Sequence, residues 1–294
     1  MTTLAIIGGS GLDQLGTLIP RTVHRVSTNY GLPSAALLDG TLDGTPVIFL
    51  PRLGPTHAFP PHGINYRANI AALRDFGVRE VLAVTAVGGI APDVGPGAIV
   101  IPDQIIDYTY GREHTFYDGR DGLLEHIEFG NPYSEDLRAS LITAALELGL
   151  AVVRTGVYGA TQGPRLESAA EIARMARDGC TIVGMTGMPE AALAREAGLR
   201  YANCALVVNW AAGVSDAPIS LAEIGRELRA GISTVVRLLS ATLRQRQQCN
   251  AMFEAACPTR QEPRKRASST CGDTRAASRL NGDRTDDPQT DGDD

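Results

Sequence analysis

Residues 81–89 read VLAVTAVGG, an apolar run broken by one threonine and closed by two glycines. A strand with one wet face alternates polar and apolar residues. A continuous run implies burial on both faces, as in a parallel sheet covered by helices on either side. Runs of this kind recur as LAIIGG (4–9), PVIFL (46–50), AIVIPD (98–103), AVVRTGVYGAT (151–161), TIVGMTG (181–187) and YANCALVVN (201–209). Helical patterns at 66–76, 134–147, 168–178, 189–197 and 220–245 fall between them. The segment SEDLRASLITAALELGL is the clearest: Ser134 stands at the cap position, Glu135 and Asp136 suit the first turn, and Gly149 follows the last turn. The alternation predicts an α/β fold, a single domain with a mixed, mostly parallel central sheet flanked by helices.

With 294 residues, 44% of them hydrophobic, the chain can fill one large core. That domain is expected to span residues 1–245. From about Arg246 the sequence turns polar and ends in repeated Asp and Gly, so residues 246–294 are expected to form a disordered tail whose Arg264–Arg266 cluster is a solvated basic run. No stretch reaches the roughly 20 apolar residues of a membrane span, and the N-terminus has no basic leader, which predicts a cytoplasmic protein. The five cysteines are scattered without C-x-x-C spacing, and the net charge is −6. Disulfide scaffolding, a general nucleic-acid surface and a membrane surface are all disfavoured, leaving a small-molecule partner.

Three loops at strand ends offer groups for an anion. GGSGL (8–12) brings glycine amides and the Ser10 hydroxyl. Its glycine spacing, and the absence of an acidic residue after a second strand, argue against a dinucleotide site. Arg52 opens the Pro-rich loop after PVIFL, and a guanidinium fork suits an oxyanion. His57 and His62 share that loop without the further ligands a metal site needs. Thr85 and Ala86 lie in the opening run itself. Asn209 ends the last apolar run, where a side-chain amide is either a turn cap or a hydrogen-bonding group facing a ligand.

The series IIGGSGL, R-x-G-x-x-H, NYRAN, TAVGGI, IDYTYGREHTFYDG, TQGPRLES and GMTGMPEAALARE resembles, in order, the motifs of the trimeric purine nucleoside phosphorylase and methylthioadenosine phosphorylase family. The resemblance runs from about residue 4 to 239 and is most marked toward the bacterial members that use S-methyl-5'-thioinosine. It implies phosphorolysis, in which inorganic phosphate attacks the anomeric carbon of a ribosyl group and the purine departs. Phosphate is then a co-substrate, and no metal or organic cofactor is expected. Charge develops on the purine and on the sugar at the transition state, so positioned donors and a held phosphate suffice without a nucleophilic side chain.

Carried over motif by motif, the resemblance puts phosphate binding on Ser10, Arg52, Thr85, Ala86 and Thr186, with Met185 beneath the sugar. Leu53 stands where the family commonly has His, so only its backbone amide can serve the phosphate. At the base, family members that use adenine nucleosides carry Asp at the positions of Asn209 and Ala211 and a small polar residue at Glu167. Here the Asn209 amide can donate to O6 or N7, and Glu167 can accept from N1–H, which implies a 6-oxopurine. Taken alone, Glu167 reads as a first-turn acid of the following helix. Trp210 is expected beside the base or in the core. Leu221 matches a position that is apolar in methylthio-specific members, and His126 matches a residue lent to the neighbouring subunit's sugar pocket, which implies a homotrimer. The other readings are an inosine or guanosine phosphorylase, a methylthioadenosine phosphorylase, and a purine-binding module without turnover.

Overall fold

The computed structural model describes residues 3–12, 18–54, 57–119, 122 and 124–256. In chain order the elements are β1 (Thr3–Gly8), β2 (Leu18–His24), β3 (Leu37–Leu42), β4 (Thr45–Pro51), α1 (Tyr66–Asp75), β5 (Val78–Gly89), β6 (Ile99–Val100), β7 (Gln104–Asp107), α2 (Glu135–Glu147), β8 (Val157–Ala160), α3 (Ala169–Arg177), β9 (Ile182–Gly184), α4 (Glu190–Glu196), β10 (Arg200–Trp210) and α5 (Leu221–Ala256). The strands form one mixed sheet with the order β2-β3-β4-β1-β5-β9-β8-β7, while β10 pairs with β5 and β6. Parallel pairs (β1–β4, β1–β5, β5–β10, β7–β8, β8–β9) outnumber antiparallel ones.

The expected two-sided burial is present. Along β1 and β5, Ala5, Ile7, Val81 and Ala83 join one core layer, against α1 and α4. Their alternates Leu4, Ile6, Leu82 and Val84 join the opposite layer, where α2 and α5 pack. The expected strand at 98–103 shrinks to two residues, and the one at 151–161 begins only at Val157. Strand β2 is almost wholly solvated and carries Pro20 and Arg21, so it has no apolar run for a sequence reading to find.

The boundary expected at residue 245 falls inside α5, which continues to Ala256. Residues 246–256 are largely good helix formers, and Arg246 is tied to the buried Glu80 and to Asp136. The expected tail from 257 onward lies outside the described residues.

The registers open a notch in the sheet. Strand β1 covers one edge of β5 only as far as Ala83, and β9 joins β5 only at Gly88 and Gly89. Strand β10 covers the other edge from Glu80 to Gly89. Residues 84–87 therefore have a strand partner on one side and a gap on the other. Glycine is required where β9 arrives: a Cβ on Gly89 would lie 1.9 Å from the Val94 carbonyl oxygen. Ligands in open α/β sheets bind in such a crevice beyond the carboxyl ends of strands.

Candidate active site

The notch holds a cavity of ≈ 280 Å³ lined by Ser10, Arg52, Leu53, Thr85, Ala86, Glu167, Met185, Thr186, Asn209, Ala211 and Leu221. These residues come from seven separate segments of the sequence. A larger cavity of ≈ 450 Å³ lies next to it and shares Glu167, but it is built mainly from the 107–110 and 161–175 segments and collects none of the glycine-rich strand ends. The smaller cavity is the candidate site.

Its floor is made of strand ends. After β1 the chain turns tightly, with the Leu12 amide donating to the Gly9 carbonyl at 3.0 Å and Gly11 at φ +80°. Ser10 sits on that turn. Arg52 is held next to it, its amide donating to the Gly8 carbonyl at 2.8 Å. The Arg52 side chain does not present an open fork. It is fully buried, with Nε and Nη2 donating to the two oxygens of Glu190 at 2.5 and 2.6 Å and Nη1 to the Val84 carbonyl at 3.1 Å. The last contact occupies a carbonyl that begins the notch. Burial acts against the guanidinium charge, but Glu190 more than reverses this and raises the pKa above its ordinary value. The Tyr201 phenol, kept protonated by burial and by Glu190, donates to the same carboxylate at 2.8 Å. Glu190 was absent from the sequence-derived site; its one signal is an acid directly after the apolar GMTGMP stretch.

Thr85 is buried, and its hydroxyl donates to Asn203 Oδ1 at 3.0 Å, while Asn203 Nδ2 has no partner among the described residues. The reversed amide would give Nδ2 to Thr85 and release the threonine proton toward the cavity.

The two upper loops are clamped by Arg112, a second residue the sequence reading did not single out within GREHTF. Only 7% exposed, it donates to the carbonyls of Thr161, Gln162, Met185 and Met188 at 3.1, 2.8, 2.9 and 2.5 Å, and to the Tyr66 hydroxyl at 3.2 Å. These acceptors flank Thr186 on one side and lead to Glu167 on the other. Gly163, at φ +56°, lets the same loops touch, since a Cβ there would meet Met185 Sδ at 2.5 Å.

On the cavity wall, Glu167 is not a first-turn acid of α3. Ser168 is the N-cap, with a capping box to Glu171, and Glu167 precedes it. One of its oxygens accepts from the Thr161 hydroxyl at 2.5 Å. Asn209 follows an irregularity in the β5–β10 register, and its Nδ2 donates to the Trp210 carbonyl at 2.7 Å. Trp210 itself turns away from the candidate cavity and packs on Gly95, lining a separate groove with Pro96. Leu221 opens α5 at the cavity rim, 78% exposed. His126 lies on an exposed loop outside the cavity of its own chain. Among the described residues, no group of three or more His, Cys, Asp or Glu side chains could hold a metal ion, and no helix is long and apolar enough to cross a membrane.

Comparison with known proteins agrees with this architecture. The Phosphorylase superfamily profile matches residues 3–244. A probable S-methyl-5'-thioinosine phosphorylase from Xanthomonas campestris pv. campestris is 51% identical over 242 residues, covering 82% of this chain and 97% of that protein. A 6-oxopurine nucleoside phosphorylase from Pyrococcus furiosus is 42% identical over 248 residues, covering 83% and 92%. Among solved structures, the methylthioadenosine phosphorylase from Schistosoma mansoni in complex with adenine superposes with a TM-score of 0.81 at 31% identity, covering 87% of this chain and 96% of that one. With both its sequence and its sheet shared along nearly the full length of these enzymes, the chain belongs to the Phosphorylase superfamily.

Proposed function

We propose that the protein catalyses phosphorolysis of a 6-oxopurine nucleoside, with S-methyl-5'-thioinosine as its substrate and hypoxanthine and S-methyl-5-thioribose 1-phosphate as products. The carrying observation is that Glu167 and Asn209 line the same cavity as Ser10 and Thr186. An acceptor and an amide thus face one end of a pocket whose other end collects hydroxyls and loop amides. Phosphate at the Ser10, Thr85, Ala86 and Thr186 end would lie beneath the sugar, over Met185. Arg52 acts there from behind Gly9, where an ideal Cβ would come within 3.0 Å of Nη1. The purine would direct N1–H to Glu167 and O6 or N7 to the Asn209 amide. As the glycosidic bond lengthens, negative charge grows on the purine next to that amide, and the phosphate stabilises the cationic sugar.

Leu221 supports a 5'-methylthio substituent over a 5'-hydroxyl, because an apolar side chain leaves a hydroxyl without a partner. The names of the Xanthomonas and Pyrococcus relatives support the 6-oxopurine class. Adenine nucleosides fit less well, since Glu167 would face the N1 lone pair, and mispaired polar groups of this kind discriminate strongly. The exposed His126 is available to a neighbouring copy, consistent with the family's trimer.

Phosphate-dependent turnover of methylthioinosine, inosine and methylthioadenosine at matched concentrations tests the proposal. The expected order places methylthioinosine first. Preferential turnover of methylthioadenosine would overturn the base assignment, and absence of phosphate-dependent base release would overturn the activity. In the double variant Glu167→Ser with Asn209→Asp, preference shifts toward adenine nucleosides.

A further inference from the structure

Thr161 follows β8, and its backbone is fixed on both sides: the amide donates to the Gly184 carbonyl at 2.8 Å, and the carbonyl accepts from Arg112 at 3.1 Å. Its hydroxyl donates to Glu167 Oε1 at 2.5 Å, with the Gly184 carbonyl oxygen further away at 3.4 Å. The one guanidinium close in sequence to Glu167, that of Arg165, is committed to Glu171 through two bonds at 2.8 and 2.7 Å. Thr161 and Glu167 both line the larger cavity, and Glu167 alone of the two also lines the smaller one.

From this geometry we infer that Thr161 is a specificity-determining positioning residue, whose hydroxyl holds Glu167 as an acceptor toward the purine edge and thereby sets the preference for 6-oxo over 6-amino bases. The inference rests on the 6-oxopurine reading above. A carboxylate side chain ahead of a helix has three rotatable bonds and no fixed direction of its own. The hydroxyl has a single proton, and giving it to Oε1 anchors the carboxylate at one oxygen and leaves Oε2 as an acceptor. A β-branched side chain on a pinned backbone suits the purpose, because its χ1 is stiff. A 6-oxopurine brings N1–H to that acceptor. A 6-aminopurine brings a lone pair, and an anchored acceptor can neither rotate away nor offer a proton in return. Removing the hydroxyl releases both constraints, so the oxo base loses a fixed partner and the amino base loses part of its penalty.

The test uses the full-length protein and three variants, Thr161→Val, Thr161→Ser and Thr161→Ala. The readouts are kcat/KM for methylthioinosine and methylthioadenosine, together with calorimetric affinities for hypoxanthine and adenine. A hydrogen bond to a charged group is worth about tenfold or more in an equilibrium. Thr161→Val and Thr161→Ala are therefore expected to cut the oxo-to-amino ratio about tenfold in both readouts, and Thr161→Ser to keep it near wild type. A residue needed only for folding would lower both substrates alike, so an unchanged ratio in Val and Ala variants overturns the inference while leaving the 6-oxopurine reading intact. A wild-type protein without preference for the oxo base overturns that reading and the inference together. If Thr161→Val does not fold, the Ala variant and the calorimetric ratio decide on the same criterion.

Discussion

Replacing Glu190 by Gln removes one charge from a fully buried ion pair and nearly preserves its shape. In the native protein both partners have 0% side-chain exposure, joined by two charge-assisted bonds, with the Tyr201 hydroxyl as a third donor to the carboxylate. Breaking such a pair from one side costs about 3–5 kcal/mol, because the remaining charge stays buried without compensation. Glutamine keeps one oxygen acceptor, which places the expected loss at about 3 kcal/mol. For a folded unit of this size, each kcal/mol lowers Tm by roughly 2–4 °C, so the expected drop is about 6–12 °C. The uncompensated Arg52 lies behind the Gly9–Ser10 turn, so phosphate should bind the variant against a more positive background. Ligand binding stabilises by about 2.7 kcal/mol at one hundred times Kd, and tighter binding raises the gain at any fixed concentration. Scanning calorimetry of both proteins with and without phosphate reads the two effects. A Tm drop below about 3 °C, corresponding to ~1 kcal/mol, would refute the buried-pair argument. An equal phosphate-induced shift in both proteins would refute the proposed coupling between Glu190 and the anion end.

Arg112→Lys keeps the charge but reduces five donors to three, so the loops carrying Glu167 and Thr186 should slacken; kcat is expected to fall by about 10–100-fold, with a smaller change in Tm, in steady-state and melting measurements. Leu53→His supplies a donor at the cavity wall, and the KM for phosphate is expected to fall about three- to tenfold while the nucleoside KM holds. Cys204 is fully buried, and burial pushes its thiol up to about 12 from 9.0. Thiol labelling at pH 8 followed by peptide mapping should therefore modify the exposed Cys249 and spare Cys204. The sign of the linkage is that of a raised pKa: this group's contribution is intact below pH 9.0, the unfolded value, and declines as pH climbs toward about 12, where alkaline melts should show stability falling.

The sheet was legible where burial removes polar residues from both faces. VLAVTAVGG and YANCALVVN became β5 and β10 to within three residues at each end. Strands β2, β3 and β7 were not legible: β2 is an exposed edge strand and nothing in LIPRTVH separates it from a loop, while β3 (LLDGTL) and β7 (QIID) are short and carry polar residues in place of an apolar run. The end of α5 was misjudged for a related reason: polar helix formers look like a tail until Arg246 finds Glu80, 166 positions earlier in sequence. At the site, the residues named from motifs mostly meet in one cavity, but what each side chain does could not be read. Arg52 looked like a free fork because its partner lies 138 residues away. Trp210 looked like a base contact because strand alternation after the register irregularity, which turns it to the other face, depends on pairing that sequence does not display.

The two ends of the candidate site are built by different physical means, and this bears on how its specificity can change. The proposed anion end rests in part on strand register: β1 leaves β5 after Ala83, β9 joins at Gly88, and Thr85 and Ala86 between them are positioned by the sheet itself. Shifting any of them moves a strand with buried side chains on both faces. The proposed base end depends instead on Glu167, Thr161 and Asn209, which sit on loops and at the end of β10, with the Glu167 and Asn209 side chains oriented by single hydrogen bonds. Changing one hydroxyl or one amide there leaves the core registers untouched. Phosphate recognition should therefore tolerate few substitutions and base choice many, so variants selected for a new purine should cluster in 161–167 and 209–211 and spare residues 84–88.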